Sequence, residues 1–265
     1  MRRGRALLAA AWLSAAGLAG TPGAAGTSGA AGTSDAAGAP GAAAMADKDA
    51  TGGLRPYVAS FMVSWHGMNA GTTFFTLRPE AGDQWVYESR SRPRGLFSLI
   101  PSAAMTLVSH MEIRAAGVRP LLFTARRTGE SATQAEVHFD WTALRATGRV
   151  EDRTIDMALR PGVQDDLSVQ IALMVALGLD QAPASISEFD KNGIRDYAYT
   201  RAGTETVHTP LGDVATVIYR SQRAHAPRST RFWCAPDFGF LPVRVEQRRE
   251  DKVEWTMDLL TLQRG

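Results

Sequence analysis

The sequence predicts a mainly β protein: a large antiparallel curved sheet or partly closed β-barrel, with one helix near residues 165–178. Three observations carry this expectation. Apolar residues alternate with polar ones along most of the chain after Leu54, as in Tyr57, Ala59, Phe61, Val63 and Trp65, the period of a half-buried strand. Turn residues such as Glu80 to Asp83 and Lys191-Asn192-Gly193 recur at short spacing between these runs, as hairpins require. A single stretch, Leu167, Ile171, Met174 and Leu177 with Val175 beside them, keeps helical spacing instead.

The elements follow in chain order. Arg2, Arg3 and Arg5 precede the short apolar run Ala6–Leu18, and small residues follow it. This is the build of a secretory signal peptide over residues 1–19. Residues 20–53 are nearly all Ala, Gly, Ser, Thr and Pro, which bury too little apolar area to offset their ordering entropy, so they read as a flexible tether. Residues 54–265 are then a single β-rich domain. Its expected strands are YVASFMVSWHG, a turn at Gly67–Gly71, TTFFTLRP, QWVYESRS, MTLVSHMEIR, PLLFTARRT, AEVHFDWTA, LRATGRVED and TIDMALRP. After the helix come ISEFD, IRDYAYTRAGTETV, VATVIYRSQ, STRFWCA, FLPVRVEQRR and VEWTMDLLTLQ. About a dozen strands around one helix imply an antiparallel sheet that curls on itself.

The helix opens with Asp165 and Asp166 after the strand-breaking pair Pro161-Gly162, and Gly178 stands where it would end. A carboxylate here accepts hydrogen bonds from the unpaired N–H groups of the first turn. Adjacent residues point in different directions, so the pair reads as a helix start and not as an acid/base dyad.

Composition narrows the function classes. There are 29 Lys+Arg against 27 Asp+Glu, a formal charge of +2, which argues against a dedicated nucleic-acid binder. The single cysteine, Cys234, forms no internal disulfide and has no histidine beside it to activate it as a nucleophile. Gly-x-Ser-x-Gly, His-Glu-x-x-His, Cys-x-x-Cys and Ser-x-x-Lys are all absent from the sequence, removing the common hydrolase and metal signatures. His110 with Glu112 and His138 with Asp140 share strand faces at spacing two, and these four are the candidate metal ligands. The competing reading is a solvated charge ladder, because Glu136 shares the face of His138.

The stretch RPRGLFSLIPSAA, Arg92–Ala104, is apolar yet broken by Pro93, Gly95 and Pro101. Such a loop folds into the core, covers a pocket, or meets a membrane or partner. Leu96, Phe97, Leu99 and Ile100 are the candidate ligand-binding residues, as a lid over an apolar cavity. Arg244 and Glu246 share one face of their strand and are either polar anchors for a ligand head group or part of a cross-strand ion ladder.

Three motifs add a resemblance. Gln164–Ser168 opens the helix, Thr209–Gly212 makes a Thr-Pro-Leu-Gly turn, and Trp233–Glu246 reads WCAPDFGFLPVRVE. With the opening FMVSWHGMNAGTTFFTL and its central glycine, they resemble the domain of unknown function 3108 family over residues 55–262. Cys234 departs from the apolar residue expected at its place. The resemblance implies an exported bacterial envelope protein, periplasmic or secreted, with no activity assigned to the family, and no cofactor is expected. The leading expectation is a non-enzymatic protein that binds an apolar or amphipathic, lipid-like ligand or an envelope partner, without a membrane span once the signal peptide is removed. A hydrolase acting on cell-wall or lipid material, and a structural scaffold, are the alternatives.

Overall fold

The computed structural model describes residues 51–100, 103–114, 116–127 and 133–265; the signal-peptide expectation, and nearly all of the tether, lie outside them. The strands are β1 (Tyr57–Trp65), β2 (Met68–Pro79), β3 (Gln84–Pro93), β4 (Met105–Arg114), β5 (Gly117–Arg127), β6 (Thr133–Asp140), β7 (Arg145–Val150) and β8 (Arg153–Ala158). The short β9 (Val163–Gln164) leads into the helix α1 (Ser168–Gly178). Then follow β10 (Ser185–Asp190), β11 (Gly193–Thr209), β12 (Gly212–Arg223), β13 (Arg228–Ala235), β14 (Leu241–Arg249) and β15 (Lys252–Arg264).

All fifteen strands form one sheet, ordered β8-β7-β6-β5-β4-β3-β2-β1-β15-β14-β13-β12-β11-β10-β9. Chain neighbours pair antiparallel from β1 to β8 and from β10 to β15, β1 pairs antiparallel with β15, and β9, at the edge opposite β8, runs parallel to its partner β10. The sheet is therefore two meanders joined through the strands at its two chain ends. It curls far enough to bring its edges together without closing. Side chains bridge the open seam: Arg153 donates to Asn192 at 3.0 Å, Lys191 to Glu151 at 3.2 Å, and Arg160 pairs with Asp196. Phe139 on β6 meets Phe189 on β10 edge-to-face, with ring centroids 5.7 Å apart.

The first hairpin turn is shorter than the sequence predicts. His66 and Gly67 form it alone, both with positive φ (47° and 79°), the geometry of a tight two-residue hairpin. Met68–Gly71 already belong to β2, and Gly71 sits within a strand at φ 143°.

The helix is buried on nearly all sides, with Ile171, Leu173, Met174 and Leu177 at 4 % exposure or less. It packs against β5 on the inside of the curl. Each such side chain contributes roughly 1.5–3 kcal/mol over its exposed state. Gly178 ends the helix for a reason other than a left-handed cap. A β-carbon there would lie 2.1 Å from the carbonyl oxygen of Gly52, so the glycine permits close approach of the incoming chain. The left-handed residue is Asp180, at φ 58°.

Candidate functional site

The loop after β3 is fixed by its own sequence. Pro93 ends the strand, Gly95 takes a positive φ of 58°, and Gly95–Leu99 wind into one 3-10 turn. Arg94 N–H donates to the Ala70 carbonyl at 2.9 Å, Ile100 N–H to Phe97 at 3.2 Å, and the Ser98 hydroxyl to Gly95 at 2.6 Å. A 3-10 helix repeats every three residues, so side chains three apart project the same way. That period divides the loop. Phe97 and Ile100 turn inward and are half-buried, while Leu96 and Leu99 stand 80 % and 77 % exposed.

Beneath Phe97 and Ile100 lies an apolar cleft floored by Val63, Trp65, Thr73 and Ser91. The Thr73 and Ser91 hydroxyls face each other at 3.3 Å. Gly71 forms part of one wall, where a β-carbon would lie 2.2 Å from the Arg92 carbonyl oxygen. The cleft encloses about 50 Å³, against ~300–1,000 Å³ for sites that engulf a small-molecule ligand. With the turn down, it admits only the tip of an apolar chain.

Arg244 and Glu246 do not join this cleft. Arg244 stands opposite Asp258, which stands opposite Met62. Met62 lies on the other face of β1 from the cleft residue Val63. Arg244 donates to Asp258 at 2.6 Å, and Glu246 accepts from Arg248 at 3.1 Å. They form the ion ladder, on the outer face.

The four candidate metal ligands are dispersed. His110 approaches Glu80 at 3.3 Å, Glu112 pairs with Arg114, and His138 approaches Glu136 at 3.2 Å. Asp140 accepts the backbone N–H groups of Thr142 and Ala143. Leu122 stands opposite both histidines, so they are two strands apart. No group of three or more metal-ligating side chains occurs among the described residues.

The two aspartates before the helix have separate roles. Asp165 is fully buried; its Oδ1 accepts the N–H groups of Leu167 and Ser168, both at 2.8 Å, while its own N–H donates to the Ser168 hydroxyl at 2.8 Å. Its Oδ2 accepts the Ser109 hydroxyl of β4 at 2.6 Å. Burial pushes this carboxyl above its usual range, and the hydrogen bonds partly offset that. Asp166 instead lies near Glu188, whose buried carboxyl is raised further, first by burial and then by Asp166 and Asp190, against a hydrogen bond with Tyr199. Glu188 Oε2 has no hydrogen-bond partner. Ser109 and Glu188 had no signal in the sequence, since both sit on unremarkable strands and acquire partners only through the curl. Burial also raises the Cys234 thiol, leaving it a core side chain.

Fold and cleft together define a class: a single curled, unclosed antiparallel sheet around one buried helix, with an apolar cleft at its rim. The chain matches the family described as "Protein of unknown function (DUF3108)" over residues 60–257 and belongs to it. No curated protein matches by sequence. Among solved structures, a β-barrel-like protein of domain of unknown function DUF1849 from Brucella abortus is similar at TM-score 0.53 and 12 % identity, covering 80 % of this chain and 98 % of that one. At this identity the likeness is one of fold. A chain of the Pseudomonas aeruginosa MucA/MucB complex reaches TM-score 0.37 at 12 % identity, covering 81 % of this chain and 53 % of that one. A Bacteroides fragilis protein with a YmcC-like fold reaches 0.38 at 11 % identity, with 79 % and 96 % covered.

Proposed function

We propose that this is an exported envelope protein that binds the apolar part of an amphipathic molecule in the cleft beneath the Gly95–Leu99 turn, without catalysing a reaction. The observation that carries the reading is the split of the turn, with Phe97 and Ile100 roofing the cleft while Leu96 and Leu99 stay in solvent. A loop whose only task was to fill the core would bury its leucines, each worth roughly 1.5–3 kcal/mol. The small closed volume makes the turn a lid: a chain longer than its tip enters when Phe97 and Ile100 swing away. Pro93 and Arg94 are held to Gly71 and Ala70 of β2, so the turn pivots at Gly95, which follows them at positive φ. Export fits the charged start and apolar run of residues 1–19.

Native mass spectrometry of the full chain, purified from an exported preparation without detergent, tests this. An added mass released by denaturation is expected, reduced by Ile100→Ser and abolished by Ser91→Phe, which fills the cleft. A bare polypeptide mass counts against the reading and favours docking of an envelope protein partner.

A further inference from the structure

We propose that the end of the sheet bearing the Gly95–Leu99 turn is a peripheral docking surface for an anionic lipid bilayer. The inference goes beyond the cleft reading and rests on different residues. Leu96 and Leu99 are the most exposed large apolar side chains among the described residues, at 80 % and 77 %, and Met68 at the neighbouring hairpin turn follows at 58 %. The two leucines are three apart on a 3-10 turn, so they project together from one five-residue tip. Two such side chains held in water by an ordered turn are a standing cost, removed when they enter an apolar phase.

What surrounds the tip selects the phase. Arg92 and Arg94 lead directly into it, Arg90 shares the outer face of β3 with Arg92, and Arg126 stands across Thr106 from Arg90. All four belong to the end of the sheet where β3 finishes and β4 starts, and Arg90, Arg92, Arg94 and Arg126 are exposed. Glu88 pairs with Arg90. The Arg92 guanidinium lies 4.8 Å from the centre of the Phe74 ring, and no ion pair among the described residues engages Arg92, Arg94 or Arg126. Apolar tips flanked by cations match an interface whose surface is anionic and whose interior is hydrocarbon. A protein groove complementary to this end would need acidic walls around an apolar floor; a bilayer supplies both without any specific shape. No helix among the described residues is long and apolar enough to cross a membrane.

Flotation of the protein purified from an exported preparation, with phosphatidylcholine vesicles with and without one third phosphatidylglycerol at about 0.1 M salt, tests the proposal. The residues before the described fold are common to every variant, so differences isolate the turn. The wild type should bind the anionic vesicles in preference to the neutral ones. Removing Arg92, Arg94 and Arg126 as glutamines should weaken this by roughly fivefold per arginine, and Leu96→Ser with Leu99→Ser by roughly tenfold or more per leucine. Both sets are exposed, so the melting temperature should not move. Equal binding to the two vesicle types, or binding indifferent to the leucines, overturns the proposal. Ser91→Phe separates the two readings: it should empty the cleft, while flotation keeps its dependence on Leu96, Leu99 and the arginines. Lost flotation with an occupied cleft would sink the docking surface alone, and an unoccupied wild-type cleft with intact flotation would sink the cleft reading alone.

Discussion

Replacing Ser109 by alanine should destabilise the protein although the residue touches no cleft and belongs to no motif. Ser109 Oγ donates at 2.6 Å to Asp165 Oδ2, and both residues are fully buried. The substitution leaves a buried carboxylate oxygen without its donor, a loss of ~1.5–3 kcal/mol for a hydrogen bond to a charged group. For a folded unit of about 200 residues that lowers the melting temperature by about 4–10 °C. Asp165→Ala should cost more, ~3–5 kcal/mol, because it also orphans the N–H groups of Leu167 and Ser168. Asp165→Asn should cost least, since its remaining oxygen still accepts both N–H groups and its amide can donate to Ser109. The pH dependence supports the same order. A carboxyl raised in the folded state binds its proton more tightly there than when unfolded, so its contribution is full at pH below the unfolded value near 4 and falls as pH rises through the folded value. Asp165→Asn should therefore lose least relative to wild type at neutral pH and more in acid. Urea denaturation from pH 4 to pH 8 measures all three variants. A Ser109→Ala cost within 0.5 kcal/mol, or Asp165→Asn as costly as Asp165→Ala at every pH, would refute the cap-and-tether argument.

Two further substitutions probe the same interior. Glu188→Gln should stabilise the protein at pH 7, because the wild-type carboxyl is raised by burial and by Asp166 and Asp190 while Tyr199 hydrogen-bonds to it. The gain should grow by at most ~1.4 kcal/mol per pH unit above the ordinary glutamate range and vanish below it; denaturation midpoints across pH 4–8 check this, and a loss at pH 7 contradicts it. Gly178→Ala should destabilise by ~1–3 kcal/mol despite alanine's helix preference of about 1 kcal/mol, because the new methyl meets the Gly52 carbonyl oxygen; a rise in melting temperature would mean that Gly52 does not pack there.

The sequence made the strands legible because alternation along one strand needs only that strand. Tyr57 to Trp65 announce their buried face without reference to a partner, and the helix announces itself by a change of period. What alternation cannot carry is parity between strands. Arg244 and Glu246 were correctly placed on one face of β14, yet nothing within VRVE says that Val63 of the cleft lies on the opposite side; that follows only from the register Arg244–Asp258–Met62. His110 and His138 do share a face, but they fail as a pair because Leu122 of β5 stands between them, two strands being more than a shared ligand can span. Ser109 was invisible because its partner lies 56 residues away. The hairpin turn was overextended because Gly71 was read as punctuation, when its φ of 143° and close approach to Arg92 make it a strand residue that only glycine can be.

The loop at Arg92–Ala104 shows why local period is the stronger guide to this site. Its apolar content alone is consistent with a core, a lid or a contact surface, taken as alternatives. A period of three makes two of them simultaneous, since one turn directs Phe97 and Ile100 at the cleft and Leu96 and Leu99 away from it. Any movement that opens the cleft must also displace the exposed leucines. A surface that holds those leucines therefore biases the lid, provided it holds them differently in the open and closed positions. Occupancy of the cleft and contact at the tip are in that case linked free energies and not separate properties. The linkage is reciprocal: a ligand that props Phe97 and Ile100 open must change affinity for the surface by the same factor that the surface changes affinity for the ligand.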